Sequence, residues 1–175
     1  MTKEGKTILA IIVGTILLVG GFAFLMTKAS GGSSGSKGKD SYINNAEAAN
    51  LEASPSGRID LGKVPYRGGI ISKSFDIKNT STSAIKLRKI TTSCMCTVAK
   101  VKLGNKETKF YGMEMNGDLN PLLDFDLPAG ETAQVIFEFD PAAHGPQGIG
   151  AVDRVIMIFF DVGYKILEFD GEVVK

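Results

Sequence analysis

Two cysteines, Cys94 and Cys96, stand two positions apart and are the only cysteines of the chain. On one β-strand their side chains project from the same face, because successive residues of a strand alternate between faces. Such a pair can close a disulfide, bind a soft metal, or pack as two small apolar groups. In an extended strand their Cα atoms would be about 6.6 Å apart, at the far edge of the roughly 4.4–6.8 Å that disulfides span. A disulfide therefore requires a bend, and all three interpretations stay open.

Further soft ligands extend the metal interpretation. Met95 separates the cysteines, and Met113 and Met115 form a Met-x-Met stretch. His144 is the only histidine of the chain. Thiolate, thioether and imidazole groups together favour Cu(I) over a hard cation. The competing interpretation is that the two later methionines pack the chain against a core and that the histidine lies in a solvated turn. The candidate metal ligands are Cys94, Cys96, Met113 and His144, and the candidate metal is Cu(I).

The remaining polar residues do not indicate catalysis. A Ser or Cys nucleophile needs a neighbouring base, and His144 stands in no recognisable triad motif. Asp124 and Asp126 share a strand face, where we expect a solvated acidic edge and not a calcium site. The chain has 20 Lys and Arg residues against 19 Asp and Glu residues, so it has no excess of basic charge for nucleic acid. We expect a protein that is not an enzyme and does not bind nucleic acid.

The N-terminal segment 1–29 is predicted to be a membrane anchor. Residues 7–26, TILAIIVGTILLVGGFAFLM, are uncharged and lie between Lys6 and Lys28. About 20 apolar residues span the hydrocarbon core of a bilayer as a helix, whereas a cleaved signal peptide has a shorter apolar region of about 7–15 residues. Long domains that follow such a span are translocated largely regardless of their charge. We expect a single-pass protein of the cell membrane with an extracytoplasmic C-terminal domain.

A flexible linker is predicted between the anchor and the domain, at residues 30–57. Ser30–Ser36 consists only of Gly and Ser, and such stretches behave as flexible tethers. From Arg58 onward the sequence changes to short apolar runs separated by turn residues, so we place the domain at 58–175. Residues 103–126 are too long for a hairpin loop and are predicted to be an insertion, with 109–115 as a candidate added strand.

Five runs in the domain have the period-2 or β-branched pattern of strands. The run 155–160, VIMIFF, is apolar on both faces and is typical of a central strand. The domain offers no long pattern with the 3.6-residue period of a helix. Many short strands with Gly and Pro turns predict an all-β sandwich. The five runs cover residues 71–79, 85–98, 133–140, 155–160 and 165–174.

The order of several short motifs resembles a known family. They are IDLGKV at 59–64, FDIKNT at 75–80, SCMCT at 93–97, LPAGE at 127–131, VIF at 135–137 and FDGEV at 169–173. This order is similar to that of the bacterial family called domain of unknown function 1573, over nearly all of residues 58–175. The resemblance implies an immunoglobulin-like sandwich of seven or eight strands, similar to Hydin and major-sperm-protein domains and often exported. It implies no established activity.

These features together predict a membrane-anchored, extracytoplasmic interaction or scaffold module without catalytic activity. Its expected partners are the membrane, through residues 7–26, and a protein of the cell envelope. The alternative is an extracytoplasmic copper-binding or thiol-redox protein that uses Cys94 and Cys96.

Overall fold

The computed structural model describes residues 46–175. Alternating apolar and polar side chains give this part of the chain its β-strands. In β8, the alternate residues Ala133, Val135, Phe137 and Phe139 are all buried, as their period-2 spacing predicts. The strands within the described part are β1 (Leu51–Ser54), β2 (Ile59–Pro65), β3 (Ile71–Asn79), β4 (Ile85–Thr92), β5 (Thr97–Leu103), β6 (Lys106–Glu107), β7 (Phe125–Leu127), β8 (Thr132–Phe139), β9 (Gly150–Phe160) and β10 (Gly163–Val174), with a 3-10 turn at Gly145–Gly148.

The strands form two five-stranded sheets. One has the order β1-β3-β8-β5-β6 and the other the order β2-β10-β9-β4-β7. All strand pairs are antiparallel except β2 with β10, which is parallel. The prediction of an all-β fold is confirmed, and VIMIFF lies in β9, the middle strand of its sheet. The strand count exceeds the seven or eight expected, because short strands of two to four residues complete the sheet edges.

A stack of aromatic rings joins the two sheets. Phe137 of β8 lies between Phe75 of β3 and Phe169 of β10, with ring centroids 5.8 and 4.6 Å away, respectively. The first two rings belong to one sheet and the third belongs to the other, so the stack crosses the interior. All three side chains are at most 1% exposed. Burial of such large rings from both sheets is what holds a sandwich together.

The sandwich begins before the predicted boundary at Arg58. Strand β1 pairs with β3, and Leu51 is 1% exposed within the core. The sequence predicted that residues 51–57 belong to a linker. The structure shows instead that part of this stretch is strand β1 of the sandwich. The strand was missed because LEAS has little apolar character of its own. Its strand conformation depends on its pairing with β3.

The segment between β6 and β7 corresponds to most of the predicted insertion, and it contains no added strand at 109–115. Tyr111 forms only an isolated bridge with Ala99. The side-chain amide of Asn120 donates hydrogen bonds to the carbonyls of Ile90 and Gly112, at 3.0 and 2.8 Å. The first bond attaches the segment to β4, and the second joins two parts of the segment itself.

The predicted membrane span at 7–26 and the Gly/Ser stretch at 30–36 lie outside the described residues. Within residues 46–175, no helix has the length and apolar character needed to cross a bilayer.

Candidate functional site

The two cysteines lie in a tight turn that crosses from one sheet to the other. The sequence suggested that the run 85–98 continues as one strand, and this is wrong at residues 93–96, where the chain turns between β4 and β5. The two strands belong to different sheets, so the chain must reverse between them. Thr92 stabilises the turn, because its hydroxyl donates to the carbonyls of Cys94 and Thr97 at 3.0 and 2.9 Å.

The crossing turn brings the cysteine Cα atoms within 5.2 Å, and Cys94 and Cys96 form a disulfide. The bend that a bridge between such close neighbours requires is therefore supplied by the sheet crossing. Both residues are buried, at 6% and 3% exposure. The backbone N–H of Cys96 donates to the sulfur of Cys94 at 3.1 Å. Of the three interpretations open to the pair, the disulfide is the state that the structure contains.

His144 lies directly beside the cysteines, although it is 50 residues away in the sequence. Its Nε2 atom is 3.0 Å from Sγ of Cys94. The loop that carries it follows β8 and is attached to the cysteine turn, because the N–H of Asp140 donates to the carbonyl of Cys96 at 2.9 Å. The ligand atoms of Cys94, Cys96 and His144 all lie within 4.8 Å of one another. The structure thus brings together three of the four predicted ligands.

Arg154, which the sequence did not single out, completes the surroundings of the disulfide. Its Nε donates to Sγ of Cys96 at 3.4 Å. The residue lies on β9, where Val155 exchanges hydrogen bonds with Ser93 of the turn: the N–H of Ser93 donates to its carbonyl, and its own N–H donates to the Ser93 hydroxyl, both at 2.9 Å. A single arginine in a strand has no sequence signal that separates it from an ordinary exposed cation.

The methionines surround the cysteines in an open depression of about 360 Å³. Met95, Met113 and Met115 are 57%, 42% and 43% exposed, so none of them is a core residue. The fourth predicted ligand, Met113, therefore lies beside the Cys–His group and not within it. We call this feature the soft-ligand depression; its lining residues are Cys94, Met95, Met113, Met115, His144 and Arg154, together with Ser93.

A second cavity lies at the end of β2 and was not predicted. It is an open groove of about 530 Å³ between the β2–β3 turn and the 3-10 turn. The turn beneath it is fixed by the N–H of Tyr66, which donates to the carbonyl of Val174 at 2.7 Å. We call it the end groove; its lining residues are Pro65, Tyr66, Arg67, Gly68, Pro146, Ile149 and Lys175.

The two aspartates considered for calcium are held by a cation instead. Nζ of Lys86 lies 2.7 Å from Asp124 and 2.8 Å from Asp126. The hydrogen bond from Lys86, followed by its charge, lowers the pKa of Asp124, and the same contacts raise the pKa of the lysine. All three side chains are exposed. The pair is the acidic edge that the sequence predicted, with a lysine added.

Comparison with known families agrees with part of the sequence resemblance. The model of a family described as protein of unknown function (DUF1573) matches residues 53–109. This stretch runs from β1 to the start of the segment after β6 and includes the cysteine turn. No curated protein matches the chain.

Three solved structures are similar to the chain at identities below 25%, and only the first reaches a TM-score of 0.50, which bears on the fold alone. A protein of unknown function from Porphyromonas gingivalis W83 is similar with a TM-score of 0.50 and 16% identity, covering 73% of this chain and 50% of that one. This chain thus spans about half the length of that protein. The PapD-like domain 7 of human CEP192 has a TM-score of 0.36 and 12% identity, with 76% and 91% covered. The periplasmic chaperone SfaE has a TM-score of 0.35 and 7% identity, with 71% and 58% covered.

Proposed function

We propose that residues 46–175 form a non-catalytic interaction module that binds a polypeptide partner in the end groove. The observation that carries this proposal is the groove itself, an open apolar surface of about 530 Å³ at one end of a sandwich. Ligand sites in proteins are mostly apolar clefts of about 300–1,000 Å³ with a few polar groups that fix orientation. Loops at the ends of sandwich domains are a common location for binding surfaces.

The chemistry of the end groove favours a peptide with apolar side chains and a carboxylate. Pro65, Tyr66, Pro146 and Ile149 provide apolar walls, and Arg67 carries a positive charge at the groove. Proline and aromatic walls bury apolar side chains with little loss of conformational entropy. A guanidinium group binds a carboxylate through two parallel hydrogen bonds.

Binding through a sheet edge is the less suitable mode for this sandwich. Partners that add a strand need a long edge with free backbone groups. Of the four edge strands, β1, β6 and β7 have only four, two and three residues, respectively, whereas β2 has seven. The edge formed by β2 is irregular, because its pairing with β10 shifts register between Asp170 and Glu172 and Gly62 has a positive φ of 63°. Short edge strands and bulges in longer ones are devices by which β-sheet proteins avoid such pairing. The end groove is therefore the preferred docking surface.

The module is proposed to be extracytoplasmic and held at the cell membrane by residues 7–26. The uncharged sequence of that segment supports the anchor. The disulfide between Cys94 and Cys96 supports an oxidising compartment outside the cytoplasm. The Gly/Ser stretch that follows the anchor would give the module freedom to reach a partner.

The groove is tested by photo-crosslinking in cells that produce the full chain. A benzophenone amino acid replaces Tyr66 in the groove or, as the control, Ile166, which is 47% exposed on β10. We expect a discrete crosslinked partner from position 66 that is absent from position 166. Arg67→Glu should weaken that crosslink, whereas Lys63→Glu, on the exposed side of β2, should not. Identical crosslinks from both positions, or none from position 66, would refute the groove as the docking surface.

Membrane topology is tested with one engineered thiol. Ser34→Cys is placed in a chain that also carries Cys94→Ala and Cys96→Ala, so that the new thiol is the only one. A membrane-impermeant maleimide should label it on intact cells. Labelling that appears only after lysis would place the domain in the cytoplasm.

A further inference from the structure

We infer that Cys94, Cys96 and His144 form a redox-gated Cu(I) site, which the disulfide closes and its reduction opens. The inference rests on the soft-ligand depression and involves none of the residues that line the end groove. It goes beyond an interaction module because it assigns a metal and a switch to the cysteine turn.

The geometry places three ligand atoms around one point. The two sulfurs and the imidazole nitrogen lie within 4.8 Å of one another, and Nε2 of His144 is 3.0 Å from Sγ of Cys94. Two sulfurs bound to one metal at about 2.3 Å lie roughly 3.8–4.0 Å apart for bond angles near 109–120°. After reduction, small rotations about the Cα–Cβ bonds reach that separation, because the Cα atoms of Cys94 and Cys96 are 5.2 Å apart.

Both sulfurs face hydrogen-bond donors that would also serve metal-bound thiolates. Each sulfur already accepts a hydrogen bond from an N–H group: Cys94 from the backbone of Cys96 and Cys96 from the side chain of Arg154, at 3.1 and 3.4 Å. N–H groups around a metal site stabilise the negative charge of its thiolate ligands. Two thiolates and one Cu(I) have a net charge of −1, which Arg154 balances.

The set of ligands selects Cu(I) over Zn(II). Structural zinc sites are closed by four protein ligands, and the cluster of His, Cys and acidic side chains found in residues 46–175 has three. The additional donors at the depression are the thioethers of Met95, Met113 and Met115. Thioethers are soft ligands that suit Cu(I). Their exposure of 42–57% leaves them free to meet an incoming ion, a role that a packed core methionine cannot fill.

The gate is an ordinary thiol–disulfide exchange. An external dithiol, such as that of a disulfide oxidoreductase, attacks one sulfur of the Cys94–Cys96 bond. The S–S bond breaks, two electrons and two protons pass to the two cysteines, and the dithiol becomes a disulfide. Cu(I) then replaces the two thiol protons and binds His144 as its third ligand, with no change in the oxidation state of the metal. The disulfide form offers no thiolate and cannot bind.

The test is a competition titration on the full chain in detergent. Cu(I) is supplied to the chain with or without prior reduction by a phosphine, and bicinchoninate reports free Cu(I) by its colour. We expect one Cu(I) per reduced chain and none per oxidised chain. Binding by the oxidised chain, or no binding by the reduced chain, overturns the inference. Zn(II) that displaces Cu(I) at equal concentration also overturns it.

Substitutions test which side chains bind the metal. His144→Gln should weaken Cu(I) binding at least about tenfold, since even outer-shell changes around metals cost about 10–100-fold. Gln147→Ala, in the same loop, should leave the affinity unchanged and controls for altered loop packing. Equal affinity of the His144→Gln and parent chains would remove the histidine from the site. Unchanged binding by the Cys94→Ala, Cys96→Ala chain would reject the site, provided that thermal melting shows this chain to be folded.

The contribution of the methionine thioethers to Cu(I) binding is tested with two matched variants. Met113→Leu removes a thioether from the soft-ligand depression, whereas Met157→Leu removes one from β9, outside it. We expect only the first change to lower the affinity for Cu(I). X-ray absorption on the Cu(I)-loaded parent chain should show one nitrogen ligand and at least two sulfur ligands at the metal, and a spectrum without sulfur would contradict the inference.

Discussion

Reduction of the Cys94–Cys96 disulfide should lower the free energy of unfolding by only about 1.6 kcal/mol and leave the sandwich folded. The two cysteines are 2 residues apart in sequence, so the bridge closes a very small loop. For a loop of about three residues, the chain-entropy relation gives about 5.4 cal/mol/K, or about 1.6 kcal/mol at 25 °C. A loop of 100 residues would give about 4.7 kcal/mol. The bridge is therefore a local constraint.

The turn also has contacts that do not depend on the sulfur–sulfur bond. The hydroxyl of Thr92 donates to the carbonyls of Cys94 and Thr97, and the backbone of Ser93 is paired with Val155 of β9. The aromatic stack that joins the sheets is a separate part of the core. Reduction should thus leave the ligand residues of the proposed Cu(I) site in place.

The measurement is urea unfolding of the metal-free full chain in detergent, followed by far-ultraviolet circular dichroism with and without a phosphine reductant. Circular dichroism is suitable because the chain has no tryptophan. A loss of about 1.6 kcal/mol corresponds to a fall in Tm of roughly 5–8 °C. The chain with Cys94→Ala and Cys96→Ala should not respond to the reductant. A loss above about 3 kcal/mol, or disappearance of the β-sheet signal on reduction, would refute the reasoning that the bridge acts locally.

Three further predictions test the fold and its surface. Phe137→Ala should lower the free energy of unfolding by about 3–5 kcal/mol in urea unfolding, because the ring is fully buried and stacked on Phe169 at 4.6 Å; Phe137→Leu should cost distinctly less. Asn79→Ala should lower the free energy of unfolding, measured in the same way, by about 2–4 kcal/mol. The buried side-chain amide donates to three backbone carbonyls at 2.9–3.2 Å, and these carbonyls would lose a donor. Lys86→Met should raise the lowered pKa of Asp124 toward 3.8 in a carboxyl NMR titration. Because that pKa is lower in the folded chain, the stabilising contribution of the pair is present above about pH 4 and is lost as the pH falls through the lowered pKa.

Much of the fold follows from the local sequence. The alternating residues of β8 and the doubly apolar run in β9 predict a half-buried strand and a central strand, and the structure has both. Period-2 patterns can be recognised in the sequence alone, because residues two positions apart lie on the same face of a strand. Strand β1 could not be predicted in this way, since its four residues have no strong pattern and depend on pairing with β3.

The candidate site, too, could be predicted from the sequence only in part. The sequence identified the cysteine pair, the Met-x-Met stretch and the only histidine as soft ligands, because these depend on residue type and spacing alone. It did not give the turn that closes the disulfide, since that turn exists only because β4 and β5 lie in different sheets.

Only the tertiary structure places His144 and Arg154 at the sulfurs, and it alone forms the end groove. These contacts join residues 50 and 58 positions apart. Whether such residues meet depends on the order of strands in the two sheets and on the register of β9, where Val155 is paired with Ser93 of the cysteine turn. Strand order and register are set by packing of the whole core, so no short stretch of sequence contains them.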